Sequence, residues 1–107
     1  MKAVVPRRAA RSDVEAAVDH YAREANDKVA LRFIDALERA YGSIGRSPSL
    51  GSPRYAHELN LPGLRTRQIT GFPYLIFYVE GADAIDVWRV LHARRDIPAW
   101  LQPPAEA

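Results

Sequence analysis

Apolar positions in the first half of the chain recur at helical spacing and predict two consecutive helices. The first follows Pro6, in "RRAARSDVEAAVDHYAREA", and the second covers residues 27–46. Asn26 and Asp27 interrupt the pattern, and either can end one helix and cap the next. So short a link predicts an antiparallel hairpin of two helices. Their apolar stripes consist of Ala10, Val14, Ala17, Val18 and Tyr21 in the first and Ala30, Phe33, Ile34, Leu37, Ala40, Tyr41 and Ile44 in the second.

The second half of the chain has the patterns of β-strands. "LRTRQIT" (64–70) alternates, with Arg65 and Arg67 on one face, as in an edge strand. "YLIFYVE" (74–80) is apolar on both faces and is therefore central, and "EGAD" turns the chain into "AIDVWRVLH" (84–92). A short β-like run at residues 2–6 must join the same sheet.

Between the helices and the strands, residues 45–63 have no apolar period and hold several Pro and Gly residues. They predict a loop with a turn of helix near Arg54–Glu58. A loop of this length inside a small domain is a candidate functional segment.

The order of elements, β-α-α-β-β-β, predicts an α+β fold of two layers. The N-terminal strand and the antiparallel helix hairpin pack on a mainly antiparallel sheet of about four strands. Length predicts one domain over residues 1–101, followed by a disordered tail at 102–107. Ile97, Pro98 and Trp100 are expected to fold the chain back onto the domain.

Composition narrows the function classes. The chain is 48% apolar and 26% charged, with no cysteine, which excludes disulfide and thiol chemistry. It lacks both an apolar run of membrane-spanning length and the apolar region of a secretory signal, so we expect a cytoplasmic protein with no membrane partner. The net charge of +2 does not by itself argue for nucleic acid, and direct nucleic-acid binding stays open. No spacing suggests a metal site and no Gly-rich phosphate loop occurs, so no cofactor is expected.

Candidate chemistry concentrates in "RVLHARRDIPAWL", residues 89–101. Cleaving RNA through its 2′-hydroxyl needs a base, an acid and cations, and Arg supplies only the last of these. In this cluster only His92 titrates near neutrality. A second proton carrier, His57, is available only if the long loop folds over the strand end. The residues therefore favour a binding surface over an enzyme. Arg89 is expected to share a face with Ile85, Val87 and Leu91. The alternative to a functional role for Arg89 is a structural one, in which it pairs with an acid such as Glu80.

Three segments, "PRRAARSDVEAAVDHYA", "GLRTRQI…YLIFYVE" and above all "VWRVLHARRDIPAWL", resemble the ParE/RelE superfamily of toxins from type II toxin–antitoxin pairs. "RVLHxRRDIP" is similar to the ParE branch. The resemblance implies a growth-inhibiting toxin, neutralised by a cognate antitoxin, that binds and poisons DNA gyrase. The alternative is a ribosome-dependent mRNA endoribonuclease of RelE type.

The resemblance also suggests which residues carry each activity. Target binding is expected at Arg89, His92, Arg94, Arg95 and Trp100. A nuclease would use His92, Arg89, Arg65 and His57. Five apolar helix residues are expected to divide between the core and contact with a helical antitoxin segment: Val14, Val18, Tyr21, Phe33 and Leu37.

Overall fold

A computed structural model describes residues 1–101; the predicted tail, 102–107, lies outside the described residues. The strands are β1 Ala3–Pro6, β2 Leu64–Gln68, β3 Tyr74–Glu80 and β4 Ala84–His92, and the helices are α1 Arg8–Glu24, α2 Asp27–Arg46, α3 Arg54–Leu59 and α4 Ile97–Leu101. A single 3-10 turn covers Pro48–Leu50. Both long helices and all the strands lie where the pattern predicts them. β1 starts one residue later than predicted, and β2 ends two residues earlier because the chain turns at Gly71, whose φ of +87° suits glycine.

The sheet is open and mixed, with the strand order β1-β4-β3-β2. β1 runs parallel to β4, and the other neighbours are antiparallel. The predicted α+β fold is therefore confirmed. The second helix begins where predicted. The side chain of Asn26 accepts a hydrogen bond of 3.0 Å from the Val29 N–H and so caps α2.

The main core lies between the helix hairpin and one face of the sheet. Phe33 and Leu37 are 0% and 6% exposed there, so they belong to the core and have no surface left for an antitoxin. Val14, Val18 and Tyr21 are only partly buried and pack against the edge of this core. The five helix residues therefore divide between α2, which faces the sheet, and α1, which keeps exposed surface.

A second apolar cluster covers part of the opposite face of the sheet. Leu64, Phe77 and Leu91 form its floor, and Ile97 and Leu101 of α4 pack onto them. The chain does fold back after β4, through Ile97 as expected and through Leu101, whereas Pro98 and Trp100 stay exposed. Within residues 1–101, no helix combines the length and the apolar character that crossing a membrane requires.

A β-bulge in β4 decides where Arg89 points. Tyr78 pairs with Val87 but Phe77 pairs with Arg89, which leaves Trp88 as an extra residue. Beyond the bulge the alternation of faces is inverted, so Arg89 lies opposite Phe77 of the second cluster, whereas Val87 faces the helices. The expectation that Arg89 shares a face with Ile85 and Val87 was wrong, because a period of two assumes a regular strand.

Candidate binding site at the end of strand β4

Arg89 is anchored by Asp13 of α1. Its Nε and Nη2 donate to the two carboxylate oxygens at 2.7 Å each, and Oδ2 of Asp13 also accepts the Val90 N–H at 3.0 Å. β1 ends beside Val87, so Asp13 takes up a backbone donor that no strand neighbour reaches. The hydrogen bond to Asp13 raises the pKa of Arg89 further, and the guanidinium stays charged.

The expected partner of Arg89, Glu80, is engaged elsewhere. Its carboxylate lies 2.7 Å from Lys2 Nζ at the far end of the sheet. Cross-strand pairing with Glu80 was therefore wrong, since β4 turns Arg89 away at the bulge and α1 supplies a nearer acid.

Two guanidinium groups lie against the indole ring of Trp100. Arg95 lies 4.6 Å and Arg89 5.2 Å from the centre of the indole ring, both within cation–π range. Arg89 also donates through Nη1 to the Trp100 carbonyl at 3.0 Å. Trp100 is nevertheless 41% exposed. Two cations thus contact an aromatic side chain that remains open to solvent, and Asp13 fixes one of them, Arg89.

A cleft of about 320 Å³ opens beside this cluster, between α1, the end of β4 and α4. Its floor is apolar, and its rim carries one acid, two histidines, a tyrosine, an arginine and a tryptophan. The lining residues are Asp13, Ala16, Ala17, His20, Tyr74, Val90, Leu91, His92, Arg95 and Trp100.

His92 is held at the rim by its neighbours. Its Nδ1 accepts the Arg94 N–H at 3.1 Å, and its ring meets Tyr74 edge to face at 5.2 Å. Because Nδ1 accepts, the neutral ring carries its proton on Nε2. Burial raises the pKa of the Tyr74 phenol, and the charge of Arg95 acts in the opposite direction.

The structure brings together four of the predicted site residues: Arg89, His92, Arg95 and Trp100. Arg94 is next to them in sequence but is exposed and does not line the cleft. The other two candidates, His57 and Arg65, line a different cavity between α3 and the start of β2. The long loop does not fold over the end of β4, so a pair of His57 and His92 is not formed.

Arg65 has a structural partner at that second location. It pairs across the sheet with Tyr78, on the helix side, and its Nη1 donates to the Gly51 carbonyl at 2.8 Å. β2 is an edge strand, as expected. The sheet face that carries Arg65 is, however, partly covered by the segment around Gly51.

Sequence reasoning missed three polar residues of the cleft as site residues, Asp13, His20 and Tyr74. His20 lies seven positions after Asp13 on α1, which is two helical turns along the same face. That spacing was available from the sequence, but only the contact between Asp13 and Arg89 shows which face meets β4. Among residues 1–101, no three His, Cys, Asp or Glu side chains group as metal ligands.

A known protein family matches most of this chain. The family model described as the ParE toxin of the type II toxin–antitoxin system, parDE, matches residues 4–97. The chain belongs to the ParE toxin family. It is therefore the toxin component of a type II toxin–antitoxin system. The matched region includes Arg89, His92, Arg94 and Arg95 of the ParE-like segment.

A solved structure shares the fold of this ParE family member. It is described as "Chromosomal ParDE TA system from P. aeruginosa" and superposes with a TM-score of 0.72 at 20% sequence identity. The match covers 86% of this chain and 96% of that chain. No curated protein gave a significant match.

Proposed function

We propose that this ParE family toxin acts in the cytoplasm by binding DNA gyrase and trapping it on cleaved DNA, which halts growth. The observation that carries the proposal is the exposed Trp100 contacted by Arg89 and Arg95. Tryptophan and arginine dominate the binding energy of protein interfaces. The family adds the expectation that the target is gyrase.

Rigidity favours this surface as a contact site. Arg89 is fixed by Asp13 and in turn holds the backbone of Trp100, so Arg89 has little side-chain entropy left to lose on binding. Inhibition by binding also needs no proton transfer, which suits a cluster rich in arginine.

The same proposal includes neutralisation by a cognate antitoxin. α1 offers Val14, Val18 and Tyr21, which pack against the core but keep exposed surface. An amphipathic segment laid along α1 would cover this surface by helix-in-groove contact. The similar structure is described as a ParDE system, which supports a partner of that kind for this chain.

Cleavage of mRNA remains the second candidate because His20 joins His92 at one cleft. The two imidazoles supply the acid and base that the sequence alone did not provide. However, Nδ1 of His92 is engaged by the Arg94 N–H, so the neutral ring is a donor at Nε2 and not a base there. The geometry therefore favours binding over catalysis.

The deciding experiment measures gyrase supercoiling with the purified chain. We expect inhibition together with accumulation of linear DNA. Trp100→Ala should weaken inhibition by roughly 30-fold, the effect of losing an interface anchor. The control is Leu50→Ala, which also truncates an exposed apolar side chain but lies on the 3-10 turn away from the cleft. Circular dichroism checks that both variants are folded.

A parallel assay follows mRNA in a translation extract. Intact mRNA is the expected outcome. Cleavage by the unmodified chain that disappears in both His20→Gln and His92→Gln, with unaffected supercoiling, would replace the gyrase proposal with the nuclease.

A further inference from the structure

The arginines differ in whether an acidic side chain neutralises them. Arg89 is neutralised by Asp13, and two other arginines, Arg7 and Arg54, pair with Asp86 and Glu58. The guanidinium of Arg95 makes no ion pair with any residue in 1–101 and only stacks on Trp100. The cleft therefore has one uncompensated cation at its rim.

Asp13 does not cancel that cation. Both of its oxygens already accept hydrogen bonds from Arg89, and one accepts the Val90 N–H as well. Its charge is thus compensated within the fold. The remaining polar groups at the rim can all donate a hydrogen bond: Nε2 of His92, the Tyr74 hydroxyl, the imidazole of His20 and the guanidinium of Arg95.

A set of donors above an apolar floor selects a particular ligand. The donors suit an oxyanion, and the buried floor of Ala17 and Val90 suits methylene groups beside it. A carboxylate on a short aliphatic stem, the side chain of Glu or Asp, has this chemistry. The cleft, with a volume of about 320 Å³, has room for such a side chain and for parts of the residues next to it in the ligand.

We propose that this cleft binds an acidic side chain of the antitoxin, presented by a segment that runs along α1. The inference rests on the proposed function and adds the chemistry of the partner at this site. A nucleic-acid strand fits less well, because backbone binding needs several free cations in a row and, among residues 1–101, Arg95 is the one arginine that lines the cleft.

The location also explains how such a partner would silence the toxin. Arg95 and Trp100 line the cleft and belong to the surface proposed to contact gyrase. A carboxylate bound to Arg95 removes that cation from the contact surface, so antitoxin and target compete for the same group.

The test titrates the purified chain with N-acetyl-glutamate amide and follows it by NMR. The indole N–H of Trp100 and the imidazole C–H signals of His20 and His92 should shift saturably. Trp88 is the internal reference, because its indole donates to Asp86 at 3.1 Å and does not line the cleft. N-acetyl-glutamine amide, which lacks the charge, should bind at least about tenfold more weakly.

A pair of neighbouring arginines supplies the matched variants. Arg95→Gln should weaken glutamate binding by about tenfold or more, and Arg95→Lys should retain most of it. Arg94→Gln removes the same charge one residue away, outside the cleft, and should change affinity by less than about twofold.

Three results would overturn the proposal: equal binding of the glutamine analogue, equal losses in Arg94→Gln and Arg95→Gln, or tighter binding of inorganic phosphate than of the glutamate probe. The titration contains neither gyrase nor antitoxin. A failure here therefore leaves the supercoiling result standing, and a negative supercoiling result leaves the carboxylate site standing.

Discussion

At the scale of single residues, two tyrosines of the core differ in what their hydroxyl groups meet. Tyr78 donates to the Pro48 carbonyl at 2.6 Å. The Tyr41 hydroxyl is buried and has no hydrogen-bond partner within residues 1–101. Because a buried group without a partner costs stability, Tyr41→Phe should raise the free energy of unfolding by about 1 kcal/mol and Tyr78→Phe should lower it by a similar amount. Urea unfolding at pH 7 measures both.

Alkaline pH separates the two variants further. Burial, and after it the charge of Asp13, raises the pKa of Tyr41 from 10.0 to about 12. A pKa that is higher in the folded state gives stability that is complete below the unfolded pKa and is lost as pH rises from about 10 towards 12. The advantage of Tyr41→Phe over the unmodified chain should grow across that window. A Tyr41→Phe variant less stable than Tyr78→Phe at pH 7 would contradict the assignment.

The pair of Asp13 and Arg89 makes a second residue-scale prediction. Their side chains are only 13% and 19% exposed, so Asp13→Asn leaves Arg89 half-buried without its charge partner. We expect a loss of about 2 kcal/mol in the free energy of unfolding. Glu58→Gln makes the same chemical change in an exposed pair and should cost less than about 0.5 kcal/mol.

A double-mutant cycle with Arg89→Met tests whether the effect belongs to the pair. The double variant should lose less than the sum of the two single variants, by about 1–2 kcal/mol. Strict additivity would mean that each residue acts alone, and Asp13 would then matter only as the acceptor of the Val90 N–H.

The faces of individual side chains were harder to predict than the elements that carry them. Arg89 lies after a bulge that no local residue pattern announces, so its partner could not be predicted from alternation. His20 is exposed on an amphipathic helix, where nothing in the sequence distinguishes it from an ordinary solvated residue. Both depend on contacts between residues far apart in the chain.

At the scale of elements, the junction of α1 and α2 depends on one cap. The Asn26 side chain accepts the Val29 N–H, one of the N–H groups that a helix start leaves free. Asn26→Ala should lower the free energy of unfolding by about 1 kcal/mol, whereas Asn26→Asp keeps the acceptor and should be neutral or better. Urea midpoints measured at an unchanged m-value report the difference. Equal losses in both variants would assign the effect to the amide group and not to capping.

The elements themselves followed from the sequence because their signals are local. The stripes of α1 and α2, the apolar run of β3 and the turn before β4 each fix an element within a few residues. The strand order β1-β4-β3-β2 and the docking of α4 have no such local signal, because they depend on which surfaces of the elements meet. The cleft arises at such a meeting, and its position could not be predicted for that reason.

At the scale of the whole molecule, the fold joins early and late parts of the chain. β1 pairs with β4, and Arg7 reaches Asp86, 79 positions further along. Asp13 likewise finds Arg89 76 positions later. The helix hairpin supplies one wall of the cleft, and the final strand and helix supply the rest.

The parallel pairing of β1 with β4 also has a consequence for synthesis on the ribosome. Chains grow at about 5–20 residues per second, so β1 waits roughly 4–16 s for its only strand neighbour to be made. Until then the sheet lacks β4, which lies between β1 and β3, and Asp13 cannot bind Arg89. A nascent chain of this topology therefore cannot form the contact between Asp13 and Arg89 until translation is nearly finished. The surface of Arg89, Arg95 and Trp100, which we propose as the gyrase contact, can thus form only once the last residues of the domain have been made.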